Sequence, residues 1–231
     1  MGKITIALDG PAASGKSTVA AILAERFGYL YFDTGVMYRA VTREAIDRGV
    51  AIGDEDAVTH LAEELVIQVL APSKADGRQC TVLADGRDIT WGIREPDVTV
   101  GVSPVSAYPG VREALTRQQR RIGAPGAVVM VGRDIGTVVL PEAQIKIYLD
   151  ATPEERAMRR LRQDAERGKR SDFAQVLADI RRRDRIDSTR EAAPLRAADD
   201  AIIVDSTDMT IDEVVKTILR VVRDKAPQCG R

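Results

Sequence analysis

The chain of 231 residues contains no asparagine. GTPase switches read guanine through an Asn-Lys-x-Asp motif, so that class is excluded outright. Cysteine is scarce: Cys80 and Cys229 lie far apart and form no metal-ligand pattern. The expectation is a reduced, cytosolic protein. Neither sign of charge dominates, with 34 Lys and Arg against 35 Asp and Glu and a net charge of −1. No global field recruits nucleic acid or a membrane surface, so arginine clusters need local explanations. No apolar run is long enough to span a bilayer. The opening stretch, from Met1 to Asp9, passes straight into a strand-like run without a signal-peptide layout. After Met1-Gly2, Ile6 stands where a myristoylation motif needs Ser or Thr. No nucleic-acid or membrane partner is expected, and the chain is expected to be a monomer.

What is present is an ordinary globular composition, 44% hydrophobic and 30% charged. Residues 4–8, 29–32, 128–131, 145–149 and 201–204 read as strands, each continuously apolar rather than alternating. Helical stretches near 17–27, 38–48 and 211–222 separate or follow them. Continuous apolar strands between helices predict a parallel sheet covered on both faces, a three-layer α/β fold. Two stretches break this rhythm. Residues 65–70, 79–83 and 87–89 look like short antiparallel strands, with Asp85-Gly86 as a tight hairpin turn. Residues 156–171 are dense in arginine and broken by Gly168, as a solvated helix hairpin or a mobile lid would be.

The strongest motif is Gly10-Pro11-Ala12-Ala13-Ser14-Gly15-Lys16-Ser17, which fits G-x-x-x-x-G-K-[ST]. It follows a predicted strand and opens a predicted helix, the context that motif requires. Glycines let successive backbone N–H groups turn toward phosphate oxygens, and the helix N-terminus adds partial positive charge. Lys16 is expected on the β- and γ-phosphates of ATP, the Ser17 hydroxyl on Mg²⁺, and Thr18 on the α-phosphate. A nucleotide-driven motor needs a strand ending in acidic residues, whereas the candidate here ends Val131-Gly132-Arg133-Asp134. A kinase accounts for the arginines better, because two polyanions must be brought together and the moving phosphoryl group held by cations.

Candidates for the acceptor side follow from position. Ligands of open parallel sheets sit at the carboxyl ends of strands. That places the Thr34 hydroxyl and Arg39 guanidinium near an acceptor phosphate, with an exposed helix charge as the alternative for Arg39. Arg112 lies in the first turn of a predicted helix, where the macrodipole disfavours a cation, so a functional reason is expected. Arg133 can bridge donor and acceptor phosphates. Asp134 can accept from a base amino group, or belong to a turn with an internal ion pair. In the helix near 172–190, the apolar stripe Phe173, Val176, Leu177 and Ile180 continues as Arg183, Asp187 and Arg190. Charges on that side need partners. A nucleotide ribose and phosphate would supply them, and so would an internal salt-bridge network. Arg156, Arg159, Arg160 and Arg162 are candidates to swing over the triphosphate when a lid closes.

Read together, residues 10–18, 33–39, 111–115, 132–139, 183–190 and 193–201 resemble bacterial cytidylate kinases, in order and over almost the whole chain. The resemblance implies a nucleoside monophosphate kinase fold with a five-stranded parallel sheet. It implies a core of residues 1–37, 110–155 and 185–231, a monophosphate-binding region with a β insert at 38–109, and a short lid near 156–172. It implies transfer from ATP·Mg²⁺ to CMP or dCMP. Thr34, Arg39, Arg133 and Arg190 are then expected on phosphate, Arg183 and Asp187 on the ribose, and Ser103, Arg112 and Asp134 on cytosine. Tyr38, inside the second block, falls in the same acceptor site. Lys16, Arg133, Arg183 and Arg190 would carry the transfer. Ser103 comes from the resemblance alone. Two positions depart from the pattern: Val131 stands where many relatives have an acidic residue, and Thr34 replaces serine.

Overall fold

Five short segments rich in β-branched and other apolar residues build the centre of the molecule. The computed structural model describes residues 3–166, 168–190 and 192–225, so Met1, Gly2 and Cys229 lie outside the described residues. Strands β1 (Thr5–Asp9), β2 (Leu30–Asp33), β6 (Val128–Val131), β7 (Ile145–Asp150) and β8 (Ile202–Asp205) form one parallel sheet in the order β2-β6-β1-β7-β8. Successive side chains of a strand point to opposite faces. Thus Ile6 and Leu8 enter one hydrophobic cluster with Val19, Leu23, Ile218 and Val222, from helices α1 (Lys16–Phe27) and α8 (Ile211–Lys225). Ala7 and Met130 enter the other, with Met37 and Val41 of α2 (Gly35–Asp47) and Leu115 of α5 (Pro109–Gly123). Both faces are covered, which is why the strands read as continuously apolar.

The small insert is a three-stranded antiparallel sheet of β3 (Ile67–Leu70), β4 (Thr81–Ala84) and β5 (Arg87–Asp88). Asp85 (φ 48°) and Gly86 (φ 80°) both adopt left-handed backbone, as a two-residue turn of type I′ demands. Buried Glu44 of α2 anchors the insert through Arg87 at 2.6 Å, and Arg48, which pairs with Glu44 at 3.1 Å, reaches Asp85 of the hairpin turn at 2.8 Å. Two helices had no counterpart in the sequence reading. One is α3 (Glu55–Glu64), capped by the Asp54 carboxylate accepting from the Ala57 N–H at 3.0 Å. The other is α4 (Pro96–Val105), which packs against α2. Arginine-rich residues after β7 fold as a helix pair, α6 (Pro153–Glu166) and α7 (Phe173–Thr189). Of the apolar stripe on α7, only Ile180 is buried, Val176 and Leu177 are partly covered, and Phe173 is exposed. Among the described residues, no helix is long and apolar enough to cross a membrane.

Candidate active site

The sheet delivers an acid to its carboxyl edge four times, as Asp9, Asp33, Asp150 and Asp205 close β1, β2, β7 and β8. The phosphate loop begins directly after Asp9. Gly10 has φ +143°, and a Cβ there would lie 2.0 Å from the Leu149 carbonyl oxygen, so only glycine fits. Lys16 opens α1 and is 5% exposed. Its Nζ donates to the Pro11 carbonyl at 2.5 Å and to Ser14 Oγ at 3.2 Å, laying the ammonium across its own loop. Burial lowers its pKa well below the ordinary value. The charges of Arg133 and Arg183 push the same way, while Asp33 and Asp9 oppose them. Ser17 and Thr18 are exposed at the loop mouth.

Ser17 Oγ donates to Asp33 Oδ2 at 3.1 Å, and Asp33 Oδ1 accepts from the Gly35 N–H at 2.9 Å. Among the described residues, no group of three or more His, Cys, Asp or Glu could hold a metal alone. A hard hydroxyl oxygen with a carboxylate behind it fits Mg²⁺ arriving on phosphate oxygens, since that ion keeps most of its shell as water and phosphate.

Two of the arginines expected to swing over this loop are hydrogen-bonded to its backbone. Arg156 is 3% exposed and pairs with both oxygens of Asp184, at 3.0 and 2.5 Å. It also donates to the Ala12 carbonyl at 3.1 Å and the Ala151 carbonyl at 2.9 Å. Arg159 donates to the Ser14 carbonyl at 3.2 Å and to Ser206 Oγ at 3.0 Å. The buried, bidentate Arg156 guanidinium is fixed in place, and with the partly exposed Arg159 it holds the loop backbone. Arg160 is exposed and pairs with Asp164 at 3.2 Å, and exposed Arg162 stands 3.9 Å from Glu155.

The acceptor candidates surround the strand ends. Buried Thr34 donates from Oγ1 to the Val131 carbonyl at 3.0 Å. Gly132 is required there, because a Cβ would meet Ile135 Cδ1 at 2.6 Å and Thr34 Oγ1 at 2.9 Å. Arg39 is half-buried and donates to the Ile93 carbonyl and Thr99 Oγ1, each at 3.1 Å. Arg133 Nε donates to Asp187 Oδ2 at 3.0 Å. Arg112 Nη2 donates to Asp134 Oδ2 at 2.6 Å, and its guanidinium lies 5.6 Å above the centre of the buried Tyr38 ring. This pairing explains the cation in the first turn of α5. Burial raises the Tyr38 pKa, with Arg112 opposing and Asp134 reinforcing it.

Arg190 closes this half of the site. Its Nε donates to the Ala193 carbonyl at 2.6 Å. Its Nη2 is buried, 3.9 Å from Asp134 Oδ1, and has no hydrogen-bond partner among the described residues. Its pKa is lowered by burial and then by Arg112. Arg183 is exposed by area yet stands in a dense field of protein atoms. Desolvation and then Arg133 lower its pKa; Asp187 opposes them and Arg39 adds to them. Ser103 lies exposed in α4, outside this hydrogen-bonded cluster among the described residues.

Lys16, Arg133, Arg183 and Arg39 thus share one electrostatic field. Arg112, Arg190, Asp134 and Tyr38 form a second, and the Arg133–Asp187 pair joins the two. Guanidiniums remain charged under such pressure, so this density of cations suits a polyanion. Sequence reasoning did not single out Asp9 or Asp33 as contributors. A charged residue ending a continuously apolar strand was the available signal.

Comparison with known proteins agrees with this geometry. The family model for cytidylate kinase matches residues 6–224. The cytidylate kinase of Herpetosiphon aurantiacus is 51% identical over 215 residues, covering 93% of this chain and 92% of that one. That of Bacillus licheniformis is 47% identical over 224 residues, covering 97% and 98%. That of Enterococcus faecalis is 49% identical over 225 residues, with the same two coverages, 97% and 98%. Among solved structures, an uncharacterized protein from Eubacterium ventriosum aligns at TM-score 0.52 and 13% identity, over 96% of this chain and 99% of that one, a likeness of fold alone. Matched along nearly its full length by the family model and about half identical to these relatives, this chain belongs to the cytidylate kinase family.

Proposed function

We propose that this chain transfers the γ-phosphate of ATP to CMP or dCMP, giving ADP and CDP or dCDP. The observation that carries the reading is the charge field of Lys16, Arg133 and Arg183, bordered by Arg190, whose buried Nη2 has no hydrogen-bond partner among the described residues. A monophosphate acceptor is already anionic at neutral pH, so no strong general base is required. What the residues supply is position and charge neutralisation. The loop from Gly10 to Thr18 holds the triphosphate by its backbone N–H groups and Lys16. Bound Mg²⁺ would neutralise β- and γ-phosphate charge, with the Ser17 hydroxyl as its protein ligand and Asp33 orienting that hydroxyl. Arg133 stands between the two anions, while Arg39, Arg183 and Arg190 hold the acceptor from its far side. Asp187 turns toward a ribose hydroxyl. Arg112 and Asp134 present a donor and an acceptor side by side, the pattern a cytosine edge can satisfy; the family resemblance alone adds Ser103, exposed on α4. Residues 38–109 form the acceptor-binding region around the β insert, and the tip of the α6–α7 pair covers the donor.

The test is ADP release measured across all nucleoside monophosphates, with shikimate and gluconate as other small acceptors. CMP and dCMP are expected to give the highest kcat/KM. ADP release only with a non-nucleotide acceptor would replace the substrate. ATP binding without ADP release for any acceptor would overturn the kinase reading.

A further inference from the structure

One buried acid has no part in the reaction as derived so far. Asp9 ends β1, is 5% exposed, and immediately precedes the phosphate loop. Its two oxygens face the other loop of the site. Oδ1 accepts from the Ile135 N–H at 2.8 Å and Oδ2 from the Gly136 N–H at 2.7 Å. These two amides open the short helical turn Ile135–Val139, where N–H groups lack partners within the turn. The residues just before them are Arg133 and Asp134. We propose that Asp9 is a positioning residue for phosphoryl transfer: its carboxylate clamps the Arg133–Asp134 loop to the strand that carries the phosphate loop, fixing the spacing of donor and acceptor.

Two further observations support this role. The contact is tight on both sides, since a Cβ on Gly136 would sit 3.4 Å from Asp9 Oδ2 and 3.2 Å from Lys146 Cδ. The ionised carboxylate is also held against its own preference. Burial raises its pKa from 3.8 to about 6, the Ile135 and Gly136 amides pull it down, Asp134 repels it, and Lys16 attracts it. On β7, Tyr148 is its register partner, and Lys146 packs against Gly136 while pairing with Asp200 at 2.9 Å. An acid whose folded pKa is raised binds protons in the fold that the unfolded chain has released. The contribution of Asp9 to stability therefore falls as pH rises from about 4 to about 6 and is level above that. A neutral acceptor would avoid this loss. The carboxylate offers two equivalent acceptors to two amides and a counter-charge to Lys16.

The proposal rests on the kinase reading, and Asp9→Asn tests it separately. Asparagine keeps one acceptor but turns an N–H₂ group toward the second amide. The expected result is a fall in kcat of about 30-fold or more with CMP, a raised KM for CMP, and an ATP Kd within about threefold of the parent. Stability at pH 8 should be unchanged or higher, and the gain in stability on acidification from pH 8 to 5 should shrink. A merely structural role would lower stability without changing either KM. Amide hydrogen exchange at residues 132–136 should accelerate in the variant, a readout that does not require turnover. If Asp9→Asn does not fold, exchange at Ile135 and Gly136 in the parent should accelerate between pH 7.5 and 5.5, beyond the intrinsic pH dependence of exchange. Parent-like kcat and exchange in the variant, or parent exchange that follows only the intrinsic dependence, would overturn the proposal. An absence of ADP release by the parent would overturn the kinase reading and leave the exchange result to decide the clamp.

Discussion

Asp134→Ala should separate the structural from the functional contribution of the Arg112–Asp134 pair. Both side chains are 8% exposed, and their nearest atoms are 2.6 Å apart. Removing one member of a buried pair leaves an uncompensated charge and costs about 3–5 kcal/mol. Arg112 keeps its bond to the Ser106 carbonyl at 3.2 Å and its place over Tyr38, which puts the loss at the lower end, about 3 kcal/mol. That is roughly a hundredfold in the folding equilibrium. Arg112→Met should cost less, because Asp134 retains Arg190 at 3.9 Å. The double variant removes both charges, so stability should recover by about half or more, with a coupling of about 2 kcal/mol in the cycle. Urea denaturation of the four proteins measures this. Activity should behave otherwise: kcat/KM for CMP should stay low in all three variants, because the base-facing donor and acceptor are gone. A loss under about 1 kcal/mol in Asp134→Ala would refute the burial reasoning. Parent-like CMP kinetics in the double variant would make the pair purely structural.

Two other outcomes follow from the donor side. Arg156→Met should destabilise the protein by about 2–3 kcal/mol, since Asp184 is partly solvated and keeps some of its hydration. It should raise the KM for ATP about tenfold and leave that for CMP unchanged; unchanged melting and ATP KM would argue against the buttress. Asp33→Asn should raise the Mg²⁺ concentration for half-maximal rate by about tenfold, because it weakens the group that orients Ser17. An unaltered Mg²⁺ titration would remove Asp33 from the metal's surroundings.

The layered sheet was legible because burial on both faces leaves a simple trace in sequence. Runs such as Val128–Val131 have no polar positions to confuse the reading. Asp85-Gly86 announced the hairpin for a conformational reason, as both residues tolerate left-handed backbone. Helix α4 was hidden by its composition: Val98, Thr99, Val100 and Val102 favour strands, and packing against α2 overrides that preference. Helix α3 carried a readable signal in Asp54 followed by Val58, Leu61 and Ala62. The candidate site residues singled out from sequence lie inside contiguous motifs. Pairings across the chain were not legible, because Arg133 meets Asp187, and Arg156 meets Asp184, only once α7 folds back beside α6. The arginines of α6 illustrate the difference: an arginine run looks solvated until a carboxylate partner on another helix is located.

Convergence of cations from β6, α7 and the phosphate loop on a single transferring group is most directly tested in Arg133→Ala. Single-turnover transfer from ATP to CMP and ATP affinity should be measured on the same preparation. Transfer should slow by about a thousandfold, as for a cation that acts on the transition state, while ATP Kd changes by about threefold or less. A transfer rate near the parent's, or a loss confined to ATP binding, would contradict the role of Arg133 as the bridge between donor and acceptor.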